Sequence, residues 1–297
     1  MLYEFIGCYL SEKCYHTPWA YNFVNQHRFS AMTKVTLLTA CYNSASTIGD
    51  TLLSVNAQTY PNIEHIIIDG ASSDNTVATV KNVGTRVSKI ISEPDKGIYD
   101  AYNKGLEHVT GEIVGFINSD DFYCSDSVIS KVVEIFEDPD IDACHADLVY
   151  VNPKNTNRIE RHWKSQKITK RSLTNGVMPA HPTVFFRREV YDRVGNFDLN
   201  YRLAADIDFL LRAFFVHEVR SFYATEIWVR MRSGGHTGGG ASSILAQNRE
   251  VRDAQKRHGI NCSLPRFYGI KIIDRIAQRV RAPFITAPNL MLPEVKT

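Results

Sequence analysis

The sequence of 297 residues predicts an α/β fold, a mostly parallel sheet flanked by helices, with a helical extension at the C-terminal end. Strand and helix patterns alternate between Lys34 and Val151, and the strand patterns are short apolar runs. Such alternation builds parallel strands connected by crossover helices. Polar residues cluster where the predicted strands stop, which is the edge at which such sheets bind ligands.

The first half of the chain supports this fold element by element. The first apolar run begins at Val35 and predicts a strand. Ile48, Leu52 and Val55 then recur at helical spacing and predict the first helix. Asp74 can cap a further helix that begins near Thr76. In order, the predicted strands are 35–40, 63–68, Val87–Ser92, 112–117 and 143–151, and the other predicted helices are 46–58, 98–109 and 125–137.

After Tyr150 the alternation weakens, although further elements are still recognisable. A strand is predicted at 183–186, a helix at 207–215 and an extended segment at 220–231, and a glycine-rich loop at 233–240 separates them from helical patterns at 244–258 and 266–281. We therefore expect three parts, namely an N-terminal extension at 1–31, a main domain at 32–240 and a basic, partly amphipathic helical extension at 241–297.

Composition is ordinary for a soluble globular chain, and the net charge of +2 gives no reason to expect a nucleic-acid partner. The charge is uneven, because residues 241–297 hold ten basic and four acidic residues, a net of +6, which leaves a net of −4 for the rest. A basic tail on a mildly acidic body favours contact of the tail with an anionic surface.

Six cysteines are scattered without a Cys-X-X-Cys pair. This argues against a zinc ribbon or a disulfide framework and is typical of a reducing compartment. The chain contains no apolar run long enough for a membrane span and no recognisable signal peptide. These observations together predict a cytoplasmic protein.

The acidic turn, Asn118-Ser119-Asp120-Asp121, follows a buried strand pattern and is the candidate metal site. Adjacent carboxylates repel each other unless a cation or hydrogen-bond donors compensate their charge. A hard cation such as Mg²⁺ takes few protein carboxylates and completes its shell with phosphate oxygens and water, which suits a diphosphate ligand. The alternative is a helix cap, with Asp121 or Ser125 at the start of the following helix.

Other polar residues at predicted element ends are candidates for function. Asp69 at a strand end can accept hydrogen bonds from a nucleobase or ribose, whereas Asp74 is better explained as a cap. Asp206, just before a helix, could take a proton from an acceptor hydroxyl, although aspartate is common at helix starts. His181 is more simply explained as a structural residue, and His236 lies in the glycine-rich loop, which could close over a substrate.

Together these segments resemble the inverting family 2 glycosyltransferases, which have the GT-A (Rossmann-like) fold, and among them the bacterial polysaccharide-biosynthesis branch. The resemblance runs from about Lys34 to Gly240. It is carried by five segments in order, Thr39-Ala40-Cys41-Tyr42-Asn43, Asp69-Gly70-Ala71-Ser72-Ser73-Asp74, residues 92–105, the acidic turn and Asp206-Ile207-Asp208-Phe209-Leu210-Leu211-Arg212.

The resemblance implies a nucleotide-sugar donor, usually linked to UDP, and assigns residues to it. Asp69 would contact the base. The donor would also be contacted by residues of the loops that follow the predicted strands, namely Thr39, Tyr42, Asn43, Lys96, Gly97, Asn118, Ser119 and Asp121.

The resemblance also implies a divalent metal, Mn²⁺ or Mg²⁺, and a catalytic base. Asp120 falls at the metal-binding position of the family's Asp-X-Asp motif, and His236 is a further candidate ligand. Asp206 matches the base. Two residues depart from the family pattern, since Asn118 replaces the first acid of the motif and Ala205 replaces the glutamate that usually precedes the base.

The implied reaction is a single displacement by a hexosyltransferase. Asp206 would deprotonate an acceptor hydroxyl, which attacks the anomeric carbon with inversion, while the metal and nearby donors stabilise the departing nucleoside diphosphate. The acceptor would be a glycan or a lipid-linked glycan in bacterial surface polysaccharide or lipopolysaccharide biosynthesis.

The C-terminal helical pattern has two interpretations. Aliphatic residues lie near one helical face, and a basic stripe lies beside it, comprising Ile272, Ile273, Ile276 and Val280 on the face and Lys271, Arg275 and Arg279 in the stripe. A basic amphipathic helix suits peripheral contact with the cytoplasmic face of the inner membrane. The alternative is a helix packed on the main domain with its charges solvated.

Two other classes of protein share this kind of scaffold. A non-catalytic nucleotide-sugar-binding module would not need the two carboxylates Asp120 and Asp206. A nucleotidylyltransferase would need a glycine-rich, basic signature soon after the first strand, and residues 41–45 have neither feature.

Overall fold

The computed structural model describes residues 33–234 and 241–290 of the chain. The predicted N-terminal extension at 1–31 and the candidate ligand His236 lie outside these ranges. In the first half, strands alternate with helices as expected. The strands are β1 (Val35–Cys41), β2 (Ile63–Asp69), β3 (Val87–Ser92) and β4 (Ile113–Phe116), and the helices between them are α1 (Ile48–Asn56), α2 (Thr76–Val83) and α3 (Ile98–Leu106).

The second half is richer in short elements than the sequence patterns indicate. After a short strand, β5 (Phe122–Tyr123), and helix α4 (Val128–Ile135), the hairpin strands β6 (Ala143–Asn152) and β7 (Asn155–Trp163) follow. Next come α5 (Lys170–Thr174), β8 (Phe185–Arg187), α6 (Arg188–Val194), α7 (Ala205–Leu211) with a π-turn at Arg212–Val216, and β9 (Ser221–Arg232). β7 was not predicted, because most of its side chains are exposed or half-buried and carry no apolar alternation.

Within the described residues the strands form one sheet in the order β3-β2-β1-β4-β8-β6-β9-β5, with β7 on β6. The first four strands are parallel, as predicted. β8 is antiparallel to both β4 and β6, β9 is parallel to β6, and β5 and β7 are antiparallel to their partners. The sheet is therefore mixed, and its mostly parallel character is confined to the N-terminal half.

Alternate residues of β1 reach the two faces of the sheet, as the period of two in a strand requires. Leu38 and Ala40 pack with residues of α3 and α7 in one apolar cluster, whereas Val35 and Leu37 pack with residues of α1 and α4 in another. Gly105 of α3 allows a close approach, because a Cβ there would lie 2.8 Å from Cδ1 of Ile68. All seven residues of β1 are buried, which explains why the strand lacks charged residues and is mostly apolar.

Two long helices, α8 (Ala241–Arg257) and α9 (Leu264–Arg281), end the described part of the chain. Phe267 of α9 is fully buried in a small cluster with Ala204 and Val251, so both helices are docked on the preceding domain. Within the described ranges, no helix combines the length and the apolar character that crossing a membrane requires.

Four of the six cysteines lie in the described ranges, and all four are free thiols, namely Cys41, Cys124, Cys144 and Cys262. These four thiols are therefore not paired with one another.

Candidate active site

The carboxyl ends of the parallel strands meet at one edge of the sheet. The register pairs Cys41 with Asp69 and Asp69 with Ser92, so β1, β2 and β3 end side by side. In β4, Phe116 pairs with Leu38, and the acidic turn follows immediately. Four loops that carry the predicted site residues therefore converge on this edge.

Asp69 is fully buried and already bonded within the protein. The hydroxyl of Ser72 donates to its Oδ1 at 2.5 Å, while the backbone N–H of Ser72 and the hydroxyl of Ser92 donate to its Oδ2 at 3.1 and 2.6 Å. Burial, followed by the charge of Asp69, raises the pKa of the neighbouring Cys41 thiol. Asp69 thus fixes the loop after β2 against the end of β3, and it has little acceptor capacity left for a ligand.

The residues predicted to line a nucleotide pocket after β1 differ in their surroundings. Thr39 is fully buried between β1 and β2, where its hydroxyl lies 2.9 Å from Nε2 of His65, so it supports the sheet and does not face an open pocket. The ring of Tyr42 is 61% exposed. Asn43 adopts a left-handed backbone with φ of 48°, and its side-chain oxygen accepts the N–H of Ser73 at 2.9 Å.

The segment between β3 and α3 lies beside Tyr42. A Cβ at Gly70 would lie 2.5 Å from a carboxylate oxygen of Asp95 and 3.4 Å from the ring of Tyr42, so the three residues are in close contact. Gly97, with φ of +120° and open space around it, starts α3 in a backbone conformation that side chains disfavour. Lys96 is exposed at the same edge.

The acidic turn is held from several sides. Asn118 accepts the hydroxyl of Tyr102 at 2.7 Å on its Oδ1 and donates through its Nδ2 to Asp121 at 2.7 Å. The hydroxyl of Thr51 donates to the backbone oxygen of Asp121 at 2.7 Å. Ser119 joins the turn to the loop after β1, since its hydroxyl lies 2.9 Å from that of Ser44.

Arg232, at the end of β9, completes this arrangement. Its side chain donates to the backbone oxygen of Asp120 at 2.5 Å and pairs with Asp50, and its backbone N–H donates to Asp121 at 3.3 Å. Asp121 is fully buried, and burial together with the charge of Asp120 raises its pKa well above the usual range. The side chains of Asn118 and Asp121 therefore organise the turn, whereas the carboxylate of Asp120 is half-buried.

Asp206 lies in the first turn of α7 and is half-buried. The hydroxyl of Tyr99 donates to its Oδ1 at 2.9 Å. Burial, followed by the charge of Asp206, raises the pKa of Tyr99, so this hydroxyl stays protonated and acts as a donor. His181 also lies near Asp206, and burial lowers the pKa of its imidazole, which favours the neutral ring.

One helix connects the two halves of the site. Tyr99 and Tyr102 are three residues apart on α3 and therefore lie on one face of it. The first hydroxyl bonds to Asp206 and the second to Asn118. Burial raises the pKa of Tyr102, as do the charges of Asp121, Asp206 and Asp120 in that order, so this hydroxyl stays protonated and donates to Asn118.

Glu250 of α8 supports α7 from outside the domain predicted at 32–240. One of its carboxylate oxygens accepts the backbone N–H groups of Leu203 and Ala204 at 2.7 and 3.0 Å, just before α7 begins. Ala204 is the N-cap residue of α7, whose N–H a helix leaves without an intrahelical partner, and Leu203 directly precedes it. A glutamate far along the chain thus lies at the start of the helix in which Ala205 replaces the family's glutamate.

Within the described ranges, no cluster of three or more His, Cys, Asp or Glu side chains could hold a metal ion. Asn118 and Asp121 are engaged with each other, and Asp120 is the residue of the acidic turn that matches the metal-binding position of the Asp-X-Asp motif. One carboxylate fits Mg²⁺ or Mn²⁺ only where diphosphate oxygens and water complete the shell. The chemistry of the turn thus suits a metal that binds together with a nucleotide.

Sequence reasoning missed four residues that organise this edge, namely Tyr99, Tyr102, Arg232 and Glu250. The two tyrosines carried a signal, because aromatic residues with polar tips recur at i and i+3 in a helix that starts at the sheet edge. Arg232 and Glu250 carried none, since their partners lie far away in the sequence.

Comparisons with known proteins show which family this chain matches. Residues 36–195 match the family described as Glycosyl transferase family 2. An uncharacterized glycosyltransferase of Mycobacterium tuberculosis is 32% identical over 187 residues, which cover 62% of this chain and 70% of that protein.

Two solved structures share the fold. Residues 1–349 of S. aureus TarS in complex with UDP superpose with a TM-score of 0.58 at 19% identity, covering 81% of this chain and 69% of that one. Glucosyl-3-phosphoglycerate synthase of Mycobacterium tuberculosis, with Mn²⁺, UDP and glucosyl-3-phosphoglycerate, gives a TM-score of 0.55 at 16% identity and covers 80% of this chain and 84% of that one.

Proposed function

We propose, from the premise that the chain belongs to glycosyltransferase family 2, that it transfers a sugar from a UDP-linked donor to a hydroxyl of a glycan or lipid-linked glycan, with inversion. The observation that carries this proposal is that one face of α3 bonds to both parts of the site, through Tyr99 to Asp206 and through Tyr102 to Asn118 of the acidic turn. The acidic turn also carries Asp120, and a donor diphosphate and an acceptor hydroxyl need two carboxylates close together but on separate elements.

The exposed ring of Tyr42, the loop of Asn43 and the exposed Lys96 would receive the nucleotide at the sheet edge. Asp69 would act mainly through Ser72 and Ser92, whose hydroxyls it orients. Ser119 and Gly97 would face the diphosphate from either side. TarS crystallises with UDP, and this supports a uridine nucleotide for the present chain as well.

A divalent metal, Mn²⁺ or Mg²⁺, would be held by Asp120 and the donor diphosphate. When bound, it neutralises the charge of the leaving nucleoside diphosphate. Arg232 holds the backbone of Asp120, and Asn118 and Asp121 keep the turn in shape, so the carboxylate is pre-oriented. The Mn²⁺ in glucosyl-3-phosphoglycerate synthase supports this assignment.

Asp206 would take the proton of the acceptor hydroxyl as that oxygen forms a bond to the anomeric carbon and the bond to the diphosphate breaks. The single attack inverts the configuration. Tyr99 and the neutral His181 would orient the carboxylate and shield it from water. We place this reaction in bacterial surface polysaccharide or lipopolysaccharide biosynthesis, at the cytoplasmic face of the inner membrane.

The test is a panel of nucleotide sugars with Mn²⁺, Mg²⁺ or a chelator, in which released nucleoside diphosphate is measured. We expect release from a UDP-sugar, dependent on the metal. Asp206→Asn should reduce transfer by a factor of about 10² or more while UDP binding persists in calorimetry, and Asp120→Asn should weaken the metal dependence.

Loss of UDP binding in Asp206→Asn would contradict the role of Asp206 as the base. Binding of nucleotide sugars without any release or transfer would favour the non-catalytic binding module. Release of pyrophosphate from a nucleoside triphosphate and a sugar phosphate would favour a nucleotidylyltransferase.

A further inference from the structure

Helix α9 exposes its aliphatic side. Ile272, Ile273, Ile276 and Val280 are 58–68% exposed, and Phe284, just after the helix, is 84% exposed. We call these five residues the α9 face. At 100° per residue, the four residues within the helix fall in about one third of its circumference.

The opposite side of α9 faces the protein and is largely polar. Phe267 and Gln278 are buried there, and Lys271 donates to Asn248 at 2.7 Å and lies 4.5 Å from the centre of the Phe267 ring. A helix that covers its own domain normally buries its apolar stripe. In α9 the stripe faces away from the domain, and no other part of residues 33–234 or 241–290 covers it.

Contacts at both ends keep α9 in this orientation. Phe267 holds its start in a cluster with Ala204 and Val251. After its end, Ala282 and Ala287 are buried, and the guanidinium of Arg230 donates to the backbone oxygens of Ala287 and Pro288 at 2.9–3.1 Å. Rotating the helix to bury the α9 face would break these contacts.

Basic residues flank the α9 face. On a helical wheel, Arg275 and Arg279 lie along one side of it and Arg266 along the other. In the described ranges, none of these three arginines forms an ion pair, whereas several other arginines do. Asp274 on the same helix interacts with Arg275 and offsets part of this charge, but with three arginines the patch keeps a net positive charge.

A fourth arginine adds to this charge. Arg161 of β7, on which α9 packs, stacks 3.6 Å over the ring of Tyr150. Burial, and beyond it the charges of Arg275 and Arg279, lower the pKa of Arg161. An anion next to these side chains would relieve their mutual repulsion.

From this geometry we infer that the α9 face inserts into the interface of an anionic lipid bilayer, with the flanking arginines at the lipid phosphates. Aliphatic side chains between basic flanks are the arrangement with which interfacial helices bind such membranes. A second copy of the same face is disfavoured, because a symmetric contact would bring the arginines of both chains together. The inference rests on the proposed membrane location and names the surface that makes the contact, the α9 face. It does not depend on transferase activity.

The test is co-sedimentation of the full-length protein with vesicles of phosphatidylcholine, alone or mixed with phosphatidylglycerol, without donor or metal. We expect binding to the mixed vesicles and far weaker binding to the neutral ones. Arg275→Gln with Arg279→Gln should weaken binding to mixed vesicles by roughly fivefold for each lost charge. Ile273→Glu with Ile276→Glu should weaken it by about tenfold or more, since it removes apolar insertion and adds negative charge.

Matched controls are Val216→Glu, which changes an exposed aliphatic residue elsewhere, and Lys81→Gln on α2. Both variants should bind like wild type.

Equal binding to neutral and mixed vesicles, or wild-type binding by the Ile273→Glu, Ile276→Glu variant, would overturn the inference. A dimer in light scattering that this variant dissociates, without vesicle binding, would assign the face to a second copy. Vesicle binding without sugar transfer would defeat the proposed function alone, and transfer to a soluble acceptor without vesicle binding would defeat this inference alone.

Discussion

Tyr99 orients Asp206, the candidate base, through a hydrogen bond, and its own hydroxyl stays protonated. Its hydroxyl reaches Asp206 across 107 positions of sequence, and its ring stacks on Phe197 with centroids 5.8 Å apart. Because burial and Asp206 raise the pKa of Tyr99, its hydroxyl remains a donor throughout the ordinary pH range. A donor of this kind stabilises the ionised form of the carboxylate.

Tyr99→Phe removes this donor without changing the ring. We expect kcat to fall about tenfold or more, since a hydrogen bond to a charged group is worth about 1.5–3 kcal/mol, and the donor KM to stay unchanged. Steady-state kinetics with varied donor concentration measure both quantities.

The matched control is Tyr223→Phe, which removes a similar bond of 2.8 Å to Asp147 on β6. Its kcat and donor KM should equal those of wild type. An unchanged kcat in Tyr99→Phe would show that Tyr99 contributes packing only.

At the scale of elements, α7 depends on α8. The N-terminus of α7 has no side-chain cap of its own, and Glu250 of α8 accepts the two N–H groups there. Tyr201 bonds to Asp253 and Asp208 to His258, so the segment around Asp206 is braced along the length of α8. The C-terminal extension therefore helps to position Asp206, the candidate base.

Glu250→Ala should loosen the start of α7. Loss of a cap costs about 1 kcal/mol of stability, and misplacement of the base should lower kcat about tenfold or more while UDP binding in calorimetry is retained. Glu134→Ala, an exposed position on α4, is the control and should change neither quantity. Unchanged kcat in Glu250→Ala would show that α7 is held by packing alone.

The β1–β2 pair contains a buried titratable group. His65 is fully buried, and burial lowers its pKa from 6.5 to about 3. The folded protein thus keeps the imidazole neutral, whereas the unfolded chain binds a proton below about pH 6.5. The stability this group confers is present above pH 6.5 and is lost as the pH falls towards 3.

His65→Gln keeps a polar partner for Thr39 and removes the titratable imidazole. Between pH 7 and pH 5, the free energy of unfolding of wild type should fall by about 2 kcal/mol more than that of the variant. Urea denaturation at the two pH values measures this difference, with His217→Gln at an exposed position as the control. Parallel losses in wild type and His65→Gln would show that the imidazole is protonated in the folded state.

At the scale of the whole molecule, Arg230 ties the C-terminal segment to the sheet. Its buried guanidinium also donates to the backbone oxygen of Thr156 in β7, at 2.9 Å. One side chain of β9 thereby connects the β6–β7 hairpin, the sheet and the segment after α9. The orientation of the α9 face depends on this connection.

Arg230→Met fills similar space but leaves these carbonyl groups without their charged donor. We expect a loss of about 2–3 kcal/mol in the free energy of unfolding and faster hydrogen exchange in residues 285–290, with exchange in β1 and β2 unchanged. Arg220→Met, at an exposed ion pair with Asp140, is the control. Uniformly faster exchange throughout the chain would mean that Arg230 stabilises the whole fold and not this docking.

The sequence by itself determined the α/β class, the places where the first strands end and the order of the motifs that identify the family. These follow from local periodicity and from short runs of residues, which are properties of neighbouring positions. The weaker patterns of the second half left out β7 and the antiparallel pairing of β8, because both depend on partners and burial and not on local alternation.

Only the tertiary structure decided which of the predicted site residues are available to a ligand. Thr39, Asp69 and Asp121 are buried among partners, whereas Tyr42 and Lys96 are exposed. It also decided that Tyr99, Arg232 and Glu250 set the geometry of the site and that the aliphatic side of α9 faces outwards. The physical reason is that burial and hydrogen-bond partners are fixed by contacts between residues far apart in the chain, which local sequence patterns do not encode.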